Sequence, residues 1–345
     1  MKNLLSLLLF ASFGLHAQNE KHLKNIRQLT FGGDNAEAYW SFDSKKLIFQ
    51  SNFKKWNVQC DQIFLMDIAK ASADSQFRPQ RISNGKGRTT CSYFLKGNKK
   101  VLFASTHAQH DSCPPPPSNI PGKYLWPIYK EYDIYVANTK GEIIQQLTNS
   151  PGYDAEATVS PKGDKIVFTS DRSGDLELWV MDTDGKNHKQ ITFGLGYDGG
   201  AFFSPDGKKI VFRASRPKSE EEKKEYLDLL KQGLVSPTQM EIYTCNSDGS
   251  DLKQITQLGK ANWAPFFTPK GDKIIFSSNH HSSRGYDFQV WLMNTDGSQL
   301  EKVTTESVFN SFPMFSPDGK KISWSSNRNN GGTRDTNVFI ADWVE

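Results

Sequence analysis

One pattern recurs six times along this 345-residue chain and restricts its fold more than any other feature. Each copy has an apolar or aromatic residue, then Ser-Pro-Asp-Gly-Lys-Lys or a decayed form of it, then an apolar strand. The clearest are Phe203-Ser204-Pro205-Asp206-Gly207-Lys208-Lys209-Ile210, Phe267-Thr268-Pro269-Lys270-Gly271-Asp272-Lys273-Ile274 and Phe315-Ser316-Pro317-Asp318-Gly319-Lys320-Lys321-Ile322. Older-looking versions start at Trp40, Phe94 and Val159. An apolar residue followed by Thr or Ser precedes every copy: Leu29-Thr30, Ile82-Ser83, Leu147-Thr148, Ile191-Thr192, Ile255-Thr256 and Val303-Thr304. The two apolar landmarks lie 18 residues apart in the first copy and 19 in the other five, so the copies are equivalent units.

Pro-Asp-Gly places Pro at the second turn position and Gly where φ is positive, joining two strands as a hairpin. A third strand follows, as in Val290-Trp291-Leu292-Met293, and ends in another Asp-Gly turn such as Asp296-Gly297; the fourth carries the Leu-Thr landmark. The fold expected is all-β: a six-bladed β-propeller of four-stranded antiparallel blades. Few residues follow the third strand of the last copy, whereas Ile26 to Thr30 precede the first copy with no blade of their own. This N-terminal strand is expected to close the last blade.

Residues 1–17 read as a signal peptide, with Lys2, an apolar run from Leu4 to Leu15 and a cleavage point after Ala17; residues 18–345 are then the propeller. Twelve helical residues rise about 18 Å, too little to span a bilayer, so export without a transmembrane anchor is expected. No cysteine precedes Cys60, which removes a lipid-modified N-terminal cysteine and leaves a periplasmic or secreted protein. A net charge of +4 without a dense basic cluster argues against nucleic acid as a partner. Four cysteines allow three full pairings; Cys60, Cys91 and Cys113 map to one region, with Cys91–Cys113 the expected bridge and Cys245 a buried thiol.

The repeat resembles the TolB-type, WD40-like β-propeller repeat, which also occurs in propellers attached to prolyl-oligopeptidase-type enzymes. The resemblance covers essentially the whole chain after the signal and speaks to fold more than to activity. It lacks the α/β domain that precedes the propeller in TolB, which puts a Tol–Pal envelope role in doubt. No Gly-x-Ser-x-Gly elbow or following hydrolase domain is present to supply peptidase chemistry.

Strand parity puts the Ser-Pro-Asp-Gly and Asp-Gly turns on one face and the long insertions on the other, each named by its copy: the first at 50–59, the second at 106–133, the fourth at 214–240 and the fifth at 279–287. Insertions gathered at a channel mouth point to recognition. The second holds a run of four prolines, 114–117, and Tyr124, Trp126, Tyr129 and Tyr132, suited to stacking on a sugar or peptide or to packing on the blades. The fourth reads as a helix capped by Ser219 with Glu222 three residues on, stopped by Gly233, with Tyr226, Leu229 and Leu230 as its apolar stripe.

Twelve residues before each second landmark stand Asn35, Thr89, Asp154, Asp198, Asn262 and Asn310, for which turn-stabilising roles are expected. Ten before stand Glu37, Cys91, Glu156, Gly200, Ala264 and Phe312, and the two carboxylates are expected to face the axis. The candidate ligand-binding residues are therefore Glu37, Asp154, Glu156, Asp198, Tyr124, Trp126 and Trp263, with no catalytic residue. No cofactor is expected beyond a divalent cation, whose candidate ligands are His107, His110 and Asp111. A second pair, His280 and His281, lies in the fifth copy, across the ring. The functional reading is a monomeric, exported, non-catalytic binding or scaffold protein whose insertion face meets an envelope or extracellular protein or a glycan. The alternative is a metal-assisted carbohydrate-active enzyme, resembling oligosaccharide lyases, with its site in the propeller mouth.

Overall fold

The computed structural model describes residues 20–116 and 120–345; the expected signal peptide lies outside them. Six four-stranded antiparallel sheets follow one another in chain order, each with a six-residue inner strand nearest the axis. The first blade runs Asn35–Trp40, Lys46–Ser51, Gln62–Asp67 and Gln80–Arg81; the others repeat it. The last has three strands of its own, Asn310–Phe315, Lys321–Ser326 and Asn337–Trp343, and Leu23–Gln28 supplies the fourth. That strand pairs antiparallel with the chain's end, Leu23 opposite Trp343 and Gln28 opposite Phe339, so the ring is closed as expected and no sheet edge is left open there.

Both repeat motifs have physical explanations. In the hairpin turn, Gly207 N–H donates to the Ser204 carbonyl at 2.8 Å, while the Ser204 hydroxyl donates to Asp206 and accepts from Lys209 N–H. The turn thus needs Ser and Asp as well as Gly with positive φ. The Thr or Ser after the first landmark lies just beyond the outer strand, where its hydroxyl accepts a third-strand backbone N–H: Val338 onto Thr30, Ile63 onto Ser83, Ile134 onto Thr148, Leu178 onto Thr192, Ile242 onto Thr256 and Val290 onto Thr304, all at 2.8–3.0 Å. The short outer strand leaves that donor without a ladder partner, and the hydroxyl replaces it.

Packing between blades is equally periodic. Two residues past each second landmark stand Phe49, Phe103, Phe168, Phe212, Phe276 and Trp324, all essentially inaccessible to solvent. Each fully buried aromatic of this size contributes about 2–3 kcal/mol of hydrophobic stabilisation, and the column binds neighbouring wedges to one another.

The fourth insertion forms the helix Glu220–Lys231 with the expected capping box between Ser219 and Glu222; Tyr226 and Leu229 are buried. Its following segment, Leu234–Val235, pairs with Trp126–Pro127 of the second insertion as a two-stranded sheet outside the blades. One expectation is overturned: the disulfide joins Cys60 to Cys113, and Cys91 is a free buried thiol alongside Cys245. Cys91 belongs to an inner strand and is turned toward the axis, whereas Cys60 lies just past the first insertion, on the same face of the ring as the loop carrying Cys113.

Candidate functional site at the capped end of the channel

Every inner strand breaks its pairing register at the same place, between Ala36 and Tyr39 in the first blade and at the equivalent pairs in the other five. The bulged residue has positive φ in all six blades: Glu37 at 57°, Cys91 at 48°, Glu156 at 56°, Gly200 at 59°, Ala264 at 48° and Phe312 at 56°. Non-glycine residues adopt this conformation at a cost, and the sixfold recurrence shows that the bulge belongs to the blade. These six residues form one layer lining the axial channel together with Arg213. Glu37 and Glu156 thus meet the axis as the sequence predicted.

Arg213 organises this layer, and sequence reasoning missed it. It stands on the second strand of the fourth blade, Lys209–Ala214, and is 6% exposed. Its guanidinium forms an ion pair with Glu156 and donates to the Tyr197 hydroxyl at 2.8 Å. Glu156 also accepts from the Tyr197 hydroxyl at 2.6 Å, Gly200 N–H at 2.8 Å and the Thr169 hydroxyl at 3.0 Å, so its charge is fully satisfied. Gly199 and Gly200 make the room: a Cβ on Gly200 would stand 2.0 Å from the guanidinium, and one on Gly199 2.2 Å from the Glu156 carboxylate.

Glu37 is placed differently. Its Oε2 has no hydrogen-bond partner. Burial pushes its carboxyl up to about 7; the adjacent Cys91 and Arg213 oppose that rise, and the Glu156 charge adds to it. The space among these groups, about 20 Å³, has the size of a single water molecule and is too small for a substrate.

The predicted aromatics roof this layer. Trp126 lies with its ring 5.0 Å from the Arg213 guanidinium, and Tyr197 flanks the same cation at 5.5 Å. The Trp126 and Trp263 rings are 5.0 Å apart, with Tyr124 at 6.2 Å from Trp263. Trp263 is buried, stacks on Phe288 at 4.2 Å and donates its indole N–H to the Pro237 carbonyl at 2.9 Å. Of the three, Tyr124 is the one that faces solvent, 57% exposed. The second and fourth insertions therefore close the mouth over the carboxylates, assisted by the Ile128 N–H bond to the Gly233 carbonyl at 2.7 Å and the Tyr226 hydroxyl bond to Asp175.

Asp154 and Asp198 do not join this centre. Asp154 is held by Arg172 through two bonds of 2.8 Å, and Asp198 by Arg216, in matching ion pairs of the third and fourth blades. Asn35, Asn262 and Asn310 at the same position donate to loop carbonyls, the turn-stabilising role expected for them. The histidine groups remain apart. His107 bonds Ser105 at 2.8 Å, His110 is 3.9 Å from Glu131, and Asp111 is exposed and paired with Lys86. His280 packs on Trp291 in the fifth blade, and burial lowers its imidazole to about 4. Among the described residues, no three His, Cys, Asp or Glu side chains converge closely enough to hold a metal ion. No helix of the described residues is long and apolar enough to cross a membrane.

Comparison with known proteins agrees with this architecture. Residues 129–239 match the TolB β-propeller domain family. Among solved structures, a TolB candidate from Agrobacterium tumefaciens superposes with a TM-score of 0.58 at 20% identity, over 91% of each chain. TolB from Acinetobacter baumannii gives 0.57 at 17% identity; the alignment covers 90% of this chain but 64% of that one. An oligogalacturonate lyase from Vibrio parahaemolyticus gives 0.48 at 12% identity, over 92% of this chain and 93% of that one. None of the curated proteins matches the sequence. The chain is a six-bladed propeller with the fold of these TolB structures, and residues 129–239 within it match the TolB β-propeller domain.

Proposed function

We propose that the protein is an exported, non-catalytic binding module of the periplasm or cell exterior that recognises an envelope or extracellular protein, or a glycan, through its insertion-bearing face. One observation carries this reading. The four exposed aromatic side chains among the described residues, Phe31, Tyr124, Phe193 and Tyr286, lie 46%, 57%, 74% and 61% open to solvent, all in interblade connections or insertions of that face. Exposed aromatics without a core to join are suited to stacking on a sugar ring or closing over a peptide. Tyr124 is moreover held on a rigid base, since Trp126 below it is packed on Arg213 and donates to the Tyr124 hydroxyl at 3.2 Å. A preorganised anchor costs less ordering entropy on binding.

The arrangement favours binding over the lyase-like alternative. The histidine pairs face separate surroundings in the second and fifth blades, and the carboxylates at the axis lie under a packed roof. The test compares the full exported chain with a Tyr124→Ala/Phe193→Ala/Tyr286→Ala variant, on a glycan array and in photo-crosslinking to envelope extract. Loss of the captured species with an unchanged melting temperature supports the reading; capture undiminished by the triple substitution contradicts it.

A further inference from the structure

The channel has a second end, which the insertions leave open. Midway along the axis a ring of side chains divides the two mouths: Tyr39, Tyr93, Phe202, Phe266 and Met314. Tyr39 and Phe202 of opposite blades meet across it at 5.5 Å, and Phe202 meets Phe266 at 5.1 Å. Beyond this floor, toward the Ser-Pro-Asp-Gly turns, the channel widens into an apolar funnel of about 220 Å³. Its wall includes Trp40, Val159, Phe203, Phe267 and Phe315, and its lip Phe42 with the turn prolines Pro161, Pro205, Pro269 and Pro317. The funnel is smaller than usual small-molecule pockets and suits one or two side chains delivered by a larger molecule.

The lip is basic. The six turns from the inner strands carry thirteen lysines and five aspartates. The aspartates are each engaged by the Ser or Thr at the base of their own turn, as in Ser41–Asp43, Ser316–Asp318 and Thr268–Asp272. Lys45, Lys99, Lys162, Lys208, Lys270 and Lys320, one from each blade, are exposed around the opening. The outer turns of the same face and the strand residues beside them, by contrast, carry Asp182, Asp184, Asp248, Asp251, Asp296 and Asp342. An apolar depression within a positive ring is complementary to an apolar tip with negative flanks.

We propose that this funnel is a docking site, separate from the insertion face, for a short segment of a protein partner whose apolar residues are flanked by acidic ones. The apolar residues enter the funnel, and the acidic flanks lie on the lysine ring, raising the association rate and fixing orientation.

The test uses a fluorescein-labelled heptapeptide with a Leu-Phe-Leu centre and two glutamates on each side, titrated against the full chain by fluorescence anisotropy. The expected result is saturable binding that shifts the Met314 methyl resonance and leaves Tyr124→Ala unaffected. A Lys99→Glu/Lys162→Glu/Lys208→Glu variant should bind about tenfold more weakly, since three attractive charges become repulsive. Those lysines are exposed, so its melting temperature should match the parent. The proposal is overturned by no saturable binding up to about 1 mM, by equal affinity for the charge-reversed variant, or by equal affinity for a lysine-flanked peptide. It is also overturned if anionic vesicles or a second copy of the chain, rather than the peptide, engage the lysine ring.

Discussion

Removing the Arg213 guanidinium should unfasten the roof and destabilise the whole ring. Arg213→Met keeps most of the side-chain length but leaves Glu156, 9% exposed, without its counter-charge. Breaking a buried ion pair from one side costs about 3–5 kcal/mol. Three donors still reach Glu156, from Tyr197, Gly200 and Thr169, which places the expected loss near the lower end. Unfolding entropy of roughly 2.1 cal/mol/K per residue over about 325 residues converts about 3 kcal/mol into a fall of about 4 °C in melting temperature. Calorimetry of Arg213→Met, Glu156→Gln and the double variant separates the pair from its surroundings. In the double variant no charge is stranded, so most of the loss should be recovered, with a coupling of about 2 kcal/mol. Tryptophan fluorescence should change with Arg213→Met, because Trp126 rests on that cation. A single variant melting with the parent, or two losses that simply add, would refute the reasoning.

Three further outcomes are expected. Glu37 has a folded-state carboxyl raised to about 7 from 4.5 by burial, so its ionisation opposes folding. The parent should lose stability relative to Glu37→Gln as pH rises from about 4.5 through 7, and a stability difference flat in pH would contradict this. Reducing the Cys60–Cys113 bridge, which closes a 53-residue separation, should cost up to about 4 kcal/mol in the chain-entropy account. Faster proteolysis within 107–133 should accompany it, and equal cleavage rates would count against the tether. Deleting residues 20–30 strips the partner from Asn337–Trp343 and should lower the melting temperature by more than about 10 °C while promoting aggregation; an unaltered melt would contradict ring closure by pairing of the two chain ends.

The fold was readable because each repeat motif answers a local need that recurs in every blade: a positive-φ residue in a hairpin, glycine in four blades and Ser44 or Asn98 in the other two, and a hydroxyl for an orphan strand N–H. Glu37 and Glu156 were readable for the same reason, by counting from the landmarks. Arg213 was not singled out, although a signal existed. Its column holds Gln50, Ala104, Thr169, Ser277 and Ser325 in the other blades, so one arginine among small or uncharged residues marks the place where a buried charge needs a partner. Asp154 and Asp198 stand in the turn column and were offered as ligand-binding candidates; their ion-pair partners, Arg172 and Arg216, lie 18 residues further along the chain, beyond the reach of counting within one column. The disulfide was misassigned for a related reason. Cys91 shares the column of Glu37 and Glu156, and the bulge that turns those carboxylates toward the axis turns Cys91 inward with them, away from Cys113.

The measurement that bears most directly on the recognition face is site-specific photo-crosslinking in the producing cell, with the reactive group placed in turn at Tyr124, Phe193 and Tyr286 and, for comparison, at Ile144 and Leu252 on the outer strands and turns. The account predicts discrete adducts from the first three positions and none from the other two. Adducts confined to Ile144 or Leu252, with the aromatic positions silent, would contradict it.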